Sequence, residues 1–144
     1  MGEIVYLNGE LVPAFRAQIS VLDRGLLYGD GLFETVRVYS GSPFYVDAHL
    51  DRLFWGAKKL KMELKLSRDH LKQAAYDTIQ ANDGREAIVR LTVTRGIATE
   101  RMKISADAKL TIVITCDDFK GHPSYHYTSG VDVVTVTDSR SDLA

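Results

Sequence analysis

The sequence predicts an α+β fold: a two-layer sandwich in which a mainly antiparallel sheet packs on two helices. Three observations carry this. Residues 32–39 alternate with a period of two, residues 46–81 hold two helical apolar stripes, and further strand-like runs follow. Strands, then helices, then strands again argue for segregated layers rather than alternating βαβ units. The 144 residues, 45% hydrophobic and 26% charged, suffice for one core-forming domain and fall short of two ordinary ones.

Taken in order, residues 4–7 and 10–12 flank Asn8-Gly9, a pair that tolerates the positive φ of a tight hairpin turn. A corner with Gly25, Gly29 and Gly31 comes next. In residues 32–39, Leu32, Glu34, Val36 and Val38 share one face, and Phe33, Thr35, Arg37 and Tyr39 the other. Ser40-Gly41-Ser42 turns the chain into a short strand at 43–46. Asp47 is the expected N-cap of the first helix, whose stripe is Val46, Leu50, Leu53, Phe54, Ala57 and Leu60. Ser67 is the expected cap of the second, with Leu71, Ala74, Ala75, Thr78 and Ile79 inward and Asn82-Asp83-Gly84 ending it. Strands are expected near 86–95, 109–116 and 131–137, the last two separated by a polar segment with Gly121 and Pro123. The expected division is a domain at 1–120, a linker at 121–130, and at 131–144 a strand leading into a second domain.

The net charge is -1, with acids and bases interspersed, so no basic stripe suggests a nucleic-acid partner. No apolar run approaches the ~18 residues of a membrane span, and the N-terminus lacks a leader-like pattern. With a single cysteine, Cys116, no internal disulfide forms, and a cytoplasmic protein is expected. Cys116 closes an apolar run and reads as a buried structural thiol. No Ser/His/Asp arrangement, phosphate loop or zinc motif occurs. His122 and His126 lie four apart with Pro123 between them, so no metal site is expected. Lys58, Lys59 and Lys61 read as a solvated helix face.

What remains is a set of polar residues in unusual places. Arg37 and Arg90 sit mid-strand, where an arginine either meets solvent or an acid, or grips a carboxylate or phosphate with its planar fork. Arg52 lies opposite the apolar stripe of its helix, with His49 and Asp51 nearby. Tyr28 stands between Leu27 and Gly29, and Glu34 interrupts an apolar strand face without an evident partner. Singly, each of these is ambiguous.

Together they resemble a family. The string YLNGELVPAFRAQISVLDRGLLYGDGLFETVRVYSG, then FYVDAHLDRLFWGAKKLKMEL and AIVRLTVTRG, resembles in order and spacing the N-terminal half of class IV (fold type IV) enzymes dependent on pyridoxal 5′-phosphate. These include branched-chain and D-amino-acid aminotransferases and aminodeoxychorismate lyases. The resemblance implies that Arg52, in His49-Leu50-Asp51-Arg52-Leu53, anchors the cofactor phosphate. It implies substrate-pocket positions for Tyr28, Phe33, Arg37 and Arg90, and a homodimer in which such a tyrosine reaches the partner's site. Substrates would be amino acids and 2-oxo acids.

The resemblance also implies a Schiff-base lysine, expected beyond Ala144, so that the chain by itself is expected to be inactive. An aminotransferase acting on branched-chain-like amino acids is the expectation. Phe33-Glu34-Thr35 departs from the Phe-Glu-Gly of branched-chain enzymes toward 4-amino-4-deoxychorismate lyase, the alternative. The loop 97–103 offers Arg101 without a histidine, unlike the D-amino-acid enzymes. A non-catalytic binding or dimerisation module is the alternative from another class.

Overall fold

The computed structural model describes residues 3–97 and 109–136. Among them, six strands form one antiparallel sheet. In chain order they are β1 (Ile4–Leu7), β2 (Glu10–Pro13), β3 (Gly31–Tyr39), β4 (Ser42–Pro43), β5 (Ala87–Thr94) and β6 (Thr111–Asp118). Their spatial order is β2-β1-β6-β5-β3-β4. Helices α2 (Val46–Lys59) and α3 (Arg68–Ala81) cover one face, which gives the predicted two layers.

The β1–β2 hairpin turns at Asn8 and Gly9, both at positive φ, as their side chains allow. Alternation along β3 and β5 decides the core. Glu34, Val36 and Val38 are buried with Val89, Leu91 and Val93, while Phe33, Thr35 and Arg90 lie on the opposite, exposed face. Val46, Leu50, Leu53 and Ala57 of α2 and all five expected inward residues of α3 complete this core. Leu60, expected on the α2 stripe, is 42% exposed because the helix ends at Lys59. Ser67 caps α3 by accepting from the His70 amide at 3.1 Å.

Several expectations about individual elements differ from the structure. Strand β4 stops at Pro43 rather than running to Val46, because Tyr45 takes a left-handed conformation (φ 49°). Its carbonyl accepts from Ala48 and His49, which makes Tyr45 the N-cap in place of Asp47. Asp47 sits in the first turn, where a negative charge favours the helix dipole, and bonds Lys72. The glycine corner holds a helix, α1 (Arg24–Tyr28), ended by Gly29 in the left-handed region (φ 66°). In the expected linker, Ser124–Ser129 forms one more short helix, α4. The expected strand at 131–137 finds no pairing partner among the described residues: 131–136 carry no ladder, and Val131, Val133, Val134 and Val136 are exposed. Residue 137 and the loop bearing Arg101 lie outside the described residues. Among the described residues no helix is long and apolar enough to cross a membrane.

Candidate cofactor and substrate site

Strand β3 pairs with β5 along Gly31 to Val38, but with β4 only at Val38 and Tyr39. The first part of β3 therefore presents an open edge among the described residues, and both of its faces bear polar groups. On the outer face, the guanidinium carbon of Arg90 lies 3.5 Å from the centre of the Phe33 ring, which places the cation over the aromatic face. Thr35 is the direct cross-strand partner of Arg90.

On the helix side the next residue along the strand, Glu34, points into the sandwich and is 3% exposed. A buried carboxylate needs partners, and two come from α2. Arg52 donates from Nε to Oε1 at 2.7 Å and from Nη2 to Oε2 at 2.5 Å. His49 completes the set, with Nδ1 at 2.7 Å from Oε2. Burial pushes the Glu34 carboxyl up, but hydrogen bonds and charge from Arg52 and His49 outweigh it and hold the group below the ordinary glutamate range. An ionised carboxylate only accepts, so the His49 Nδ1 carries the proton and donates. Arg52 itself is 68% exposed, and the fork with Glu34 occupies one edge of its guanidinium. The other edge, with Nη1, makes no hydrogen bond among the described residues and is chemically suited to a phosphate.

Tyr28 ends α1, 45% exposed, with the Arg24 guanidinium 5.0 Å from its ring centre. A buried frame fixes this helix. Asp23 caps it by accepting from the Gly25 amide at 2.7 Å, and accepts from the hydroxyls of Thr94 at 2.9 Å and Thr111 at 2.6 Å. Asp30 accepts from Nε of Arg24 at 2.7 Å and of Arg95 at 2.8 Å. Burial pushes the Asp30 carboxyl up, and the two guanidinium groups more than reverse this, holding it below the ordinary aspartate range. Arg95 reaches on to the carbonyls of Leu60 and Lys61, just past α2. Gly31 enters the sheet so close to β5 that a Cβ would lie 2.7 Å from the Val93 carbonyl.

The structure thus brings Phe33 and Arg90 together and sets Arg52 across the same strand, one residue away through Glu34. It diverts Arg37, whose guanidinium donates to Glu86, to the Val38 carbonyl and to that of Ala87 at 2.8 Å, between the Tyr39 and Phe119 rings. Arg37, expected at the substrate pocket, is thus engaged by Glu86 and two backbone carbonyls. Sequence reasoning missed Asp23, Arg24, Asp30, Arg95 and the pairing of Glu34 with His49. The available signal was the His49-x-x-Arg52 spacing, which puts both side chains over one point of the neighbouring strand. Cys116 is buried, its thiol pushed up to about 11 by burial and by Asp117 and Asp118, as suits a structural role. The rings of His122 and His126 lie 6.2 Å apart, and no group of three metal-ligating side chains occurs among the described residues.

The chain is similar over most of its length to known proteins. The family model for amino-transferase class IV matches residues 31–143. A provisionally named branched-chain-amino-acid aminotransferase of Methanocaldococcus jannaschii is 43% identical over 93 residues, covering 65% of this chain and 32% of that protein. D-alanine aminotransferase of Staphylococcus aureus is 30% identical over 138 residues, 96% of this chain and 49% of the relative. The crystal structure of 4-amino-4-deoxychorismate lyase from Pseudomonas aeruginosa superposes with a TM-score of 0.73 at 32% identity, covering 88% of this chain and 44% of that one. The chain spans a third to a half of the length of these proteins.

Proposed function

This chain belongs to the amino-transferase class IV family, and from that membership we propose that it forms the cofactor- and substrate-facing part of a pyridoxal-phosphate enzyme. The reaction we assign is transamination between branched-chain-like amino acids and 2-oxo acids, in a cytoplasmic homodimer. The observation that carries the reading is Arg52. A guanidinium fixed along one edge by a buried carboxylate, with its other edge exposed beside the open edge of β3, is an anion anchor. The residues fit a phosphate group, and the bound cofactor would supply the electron sink that makes the substrate Cα–H acidic.

This chain's own residues supply grip and orientation. Arg52 holds the phosphate. Arg90, seated over Phe33, receives a substrate carboxylate in a two-bond fork, and the Phe33 ring limits rotation of the bound chain. Tyr28, set at the end of α1, closes the pocket from the side or from the partner protomer. Residues 1–120 form the first domain, and 121–130 lead over to the segment that opens the second.

One observation favours a second reading. Thr35, rather than glycine, follows Phe33-Glu34 and stands opposite Arg90, and the superposing lyase is 32% identical to this chain over the part that aligns. The reaction then would be release of pyruvate from 4-amino-4-deoxychorismate. Assay of the whole enzyme separates the two. Glutamate formation from leucine and 2-oxoglutarate is the expected result, and pyruvate release from aminodeoxychorismate without transamination would sink the aminotransferase reading.

A further inference from the structure

We propose that Glu34 and His49 are positioning residues that hold the Arg52 guanidinium in one orientation for an incoming phosphate. The proposal rests on the reading of Arg52 as a phosphate anchor. The pairing is unusual as a stability device. Glu34 is 3% exposed on a face it shares with Val36 and Val38, whereas the Arg52 side chain is 68% exposed. Replacing a buried ion pair by apolar residues of similar volume is often neutral or stabilising, so stability alone does not account for it. What the pairing does fix is geometry. Both carboxylate oxygens are engaged, Oε1 by Nε of Arg52 and Oε2 by Nη2 of Arg52 and Nδ1 of His49.

Two parallel bonds define the guanidinium plane, and the His49 bond stops the carboxylate from rotating about its own last torsion. An exposed arginine with four free torsions is thereby reduced to one orientation, with its Nη1 edge turned to solvent. Ordering an anchor before its ligand arrives removes that cost from binding. Because α2 carries both His49 and Arg52 and β3 carries Glu34, the device also ties the anchor to the strand that bears Phe33.

The test uses the 144-residue chain labelled with 15N and titrated with inorganic phosphate, following the Arg52 Nε–H resonance. The resonance is assigned by its loss in Arg52→Lys. Glu34→Asp keeps the charge and withdraws the carboxylate by one methylene, so it reads geometry alone. Glu34→Gln keeps size and removes the charge, and the backbone amides report folding in both variants. We expect both to weaken the phosphate response at least fivefold and to speed exchange of Nε–H, with backbone amides outside β3 and α2 unmoved. His49→Gln should weaken the response two- to threefold. An unchanged response in both Glu34 variants, with the phosphate-induced shifts of the α2 and β3 backbone amides lost in Arg52→Gln, overturns the positioning role and leaves the anchor standing. A wild-type resonance indifferent to phosphate, or phosphate-induced amide shifts in α2 and β3 that survive in Arg52→Gln, overturns the anchor and this inference with it.

Discussion

Glu34 shows how far single residues were legible. Its place on an apolar strand face is plain from alternation, but its partners are 15 and 18 residues away on another element, and no local period links them. The reading of Arg52 as an anchor comes only through resemblance, since on its helix it looks like an ordinary surface arginine. The ionisation of Glu34 gives a prediction with a definite sign. Its folded-state pKa lies below the ordinary value, so the stabilisation it gives is complete above the unfolded carboxyl pKa of about 4.3 and is lost as pH falls through the folded value. Wild type should exceed Glu34→Gln in denaturant midpoint at pH 7, and the gap should close in acid below about pH 4. A gap that stays constant down to pH 3 would mean that the carboxylate is not what stabilises.

Among elements, the long periodic ones were read well and the short ones were not. Helix α3 carries five inward residues over three turns, enough for its stripe to show, and all five are buried. Helix α1 has five residues in all, fewer than two turns, so no period can develop. Its only sequence marks are Asp23 as a cap and Gly29 as a stop, which the density of glycine obscured. The start of α2 shifted because Tyr45 adopts a left-handed turn, a conformation that side-chain type does not announce. Asp23 is the element-scale test. It is 1% exposed and accepts three hydrogen bonds, so Asp23→Ala leaves the Thr94 and Thr111 hydroxyls and the Gly25 amide without their acceptor. Summed over such orphaned donors, a loss of about 2–4 kcal/mol is expected in urea unfolding. A loss below about 1 kcal/mol would show that water replaces the carboxylate easily.

At the scale of the molecule, layer composition was legible and strand order was not. Periodicity assigns faces, whereas the pairing of β1 with β6, Tyr6 against Ile114, joins residues more than a hundred apart. The same scale holds the surface that the core leaves uncovered. Phe15, Val21, Leu22, Leu26 and Phe33 are each more than half exposed. Sedimentation of the chain should show concentration-dependent association toward twice 16.1 kDa, and a strict monomer at about 0.1 mM would argue against the homodimer we propose. The reach of Arg95 has a further effect. One side chain joins Asp30 before β3 to the carbonyls of Leu60 and Lys61 after α2, while its own backbone leaves β5. Three segments far apart in sequence are thus bound into one cooperative opening unit. Deuterium uptake should report this directly: the amides of Gly31, Met62 and Arg95 should become accessible together, with one shared opening free energy, and Arg95→Met should split that single event into three.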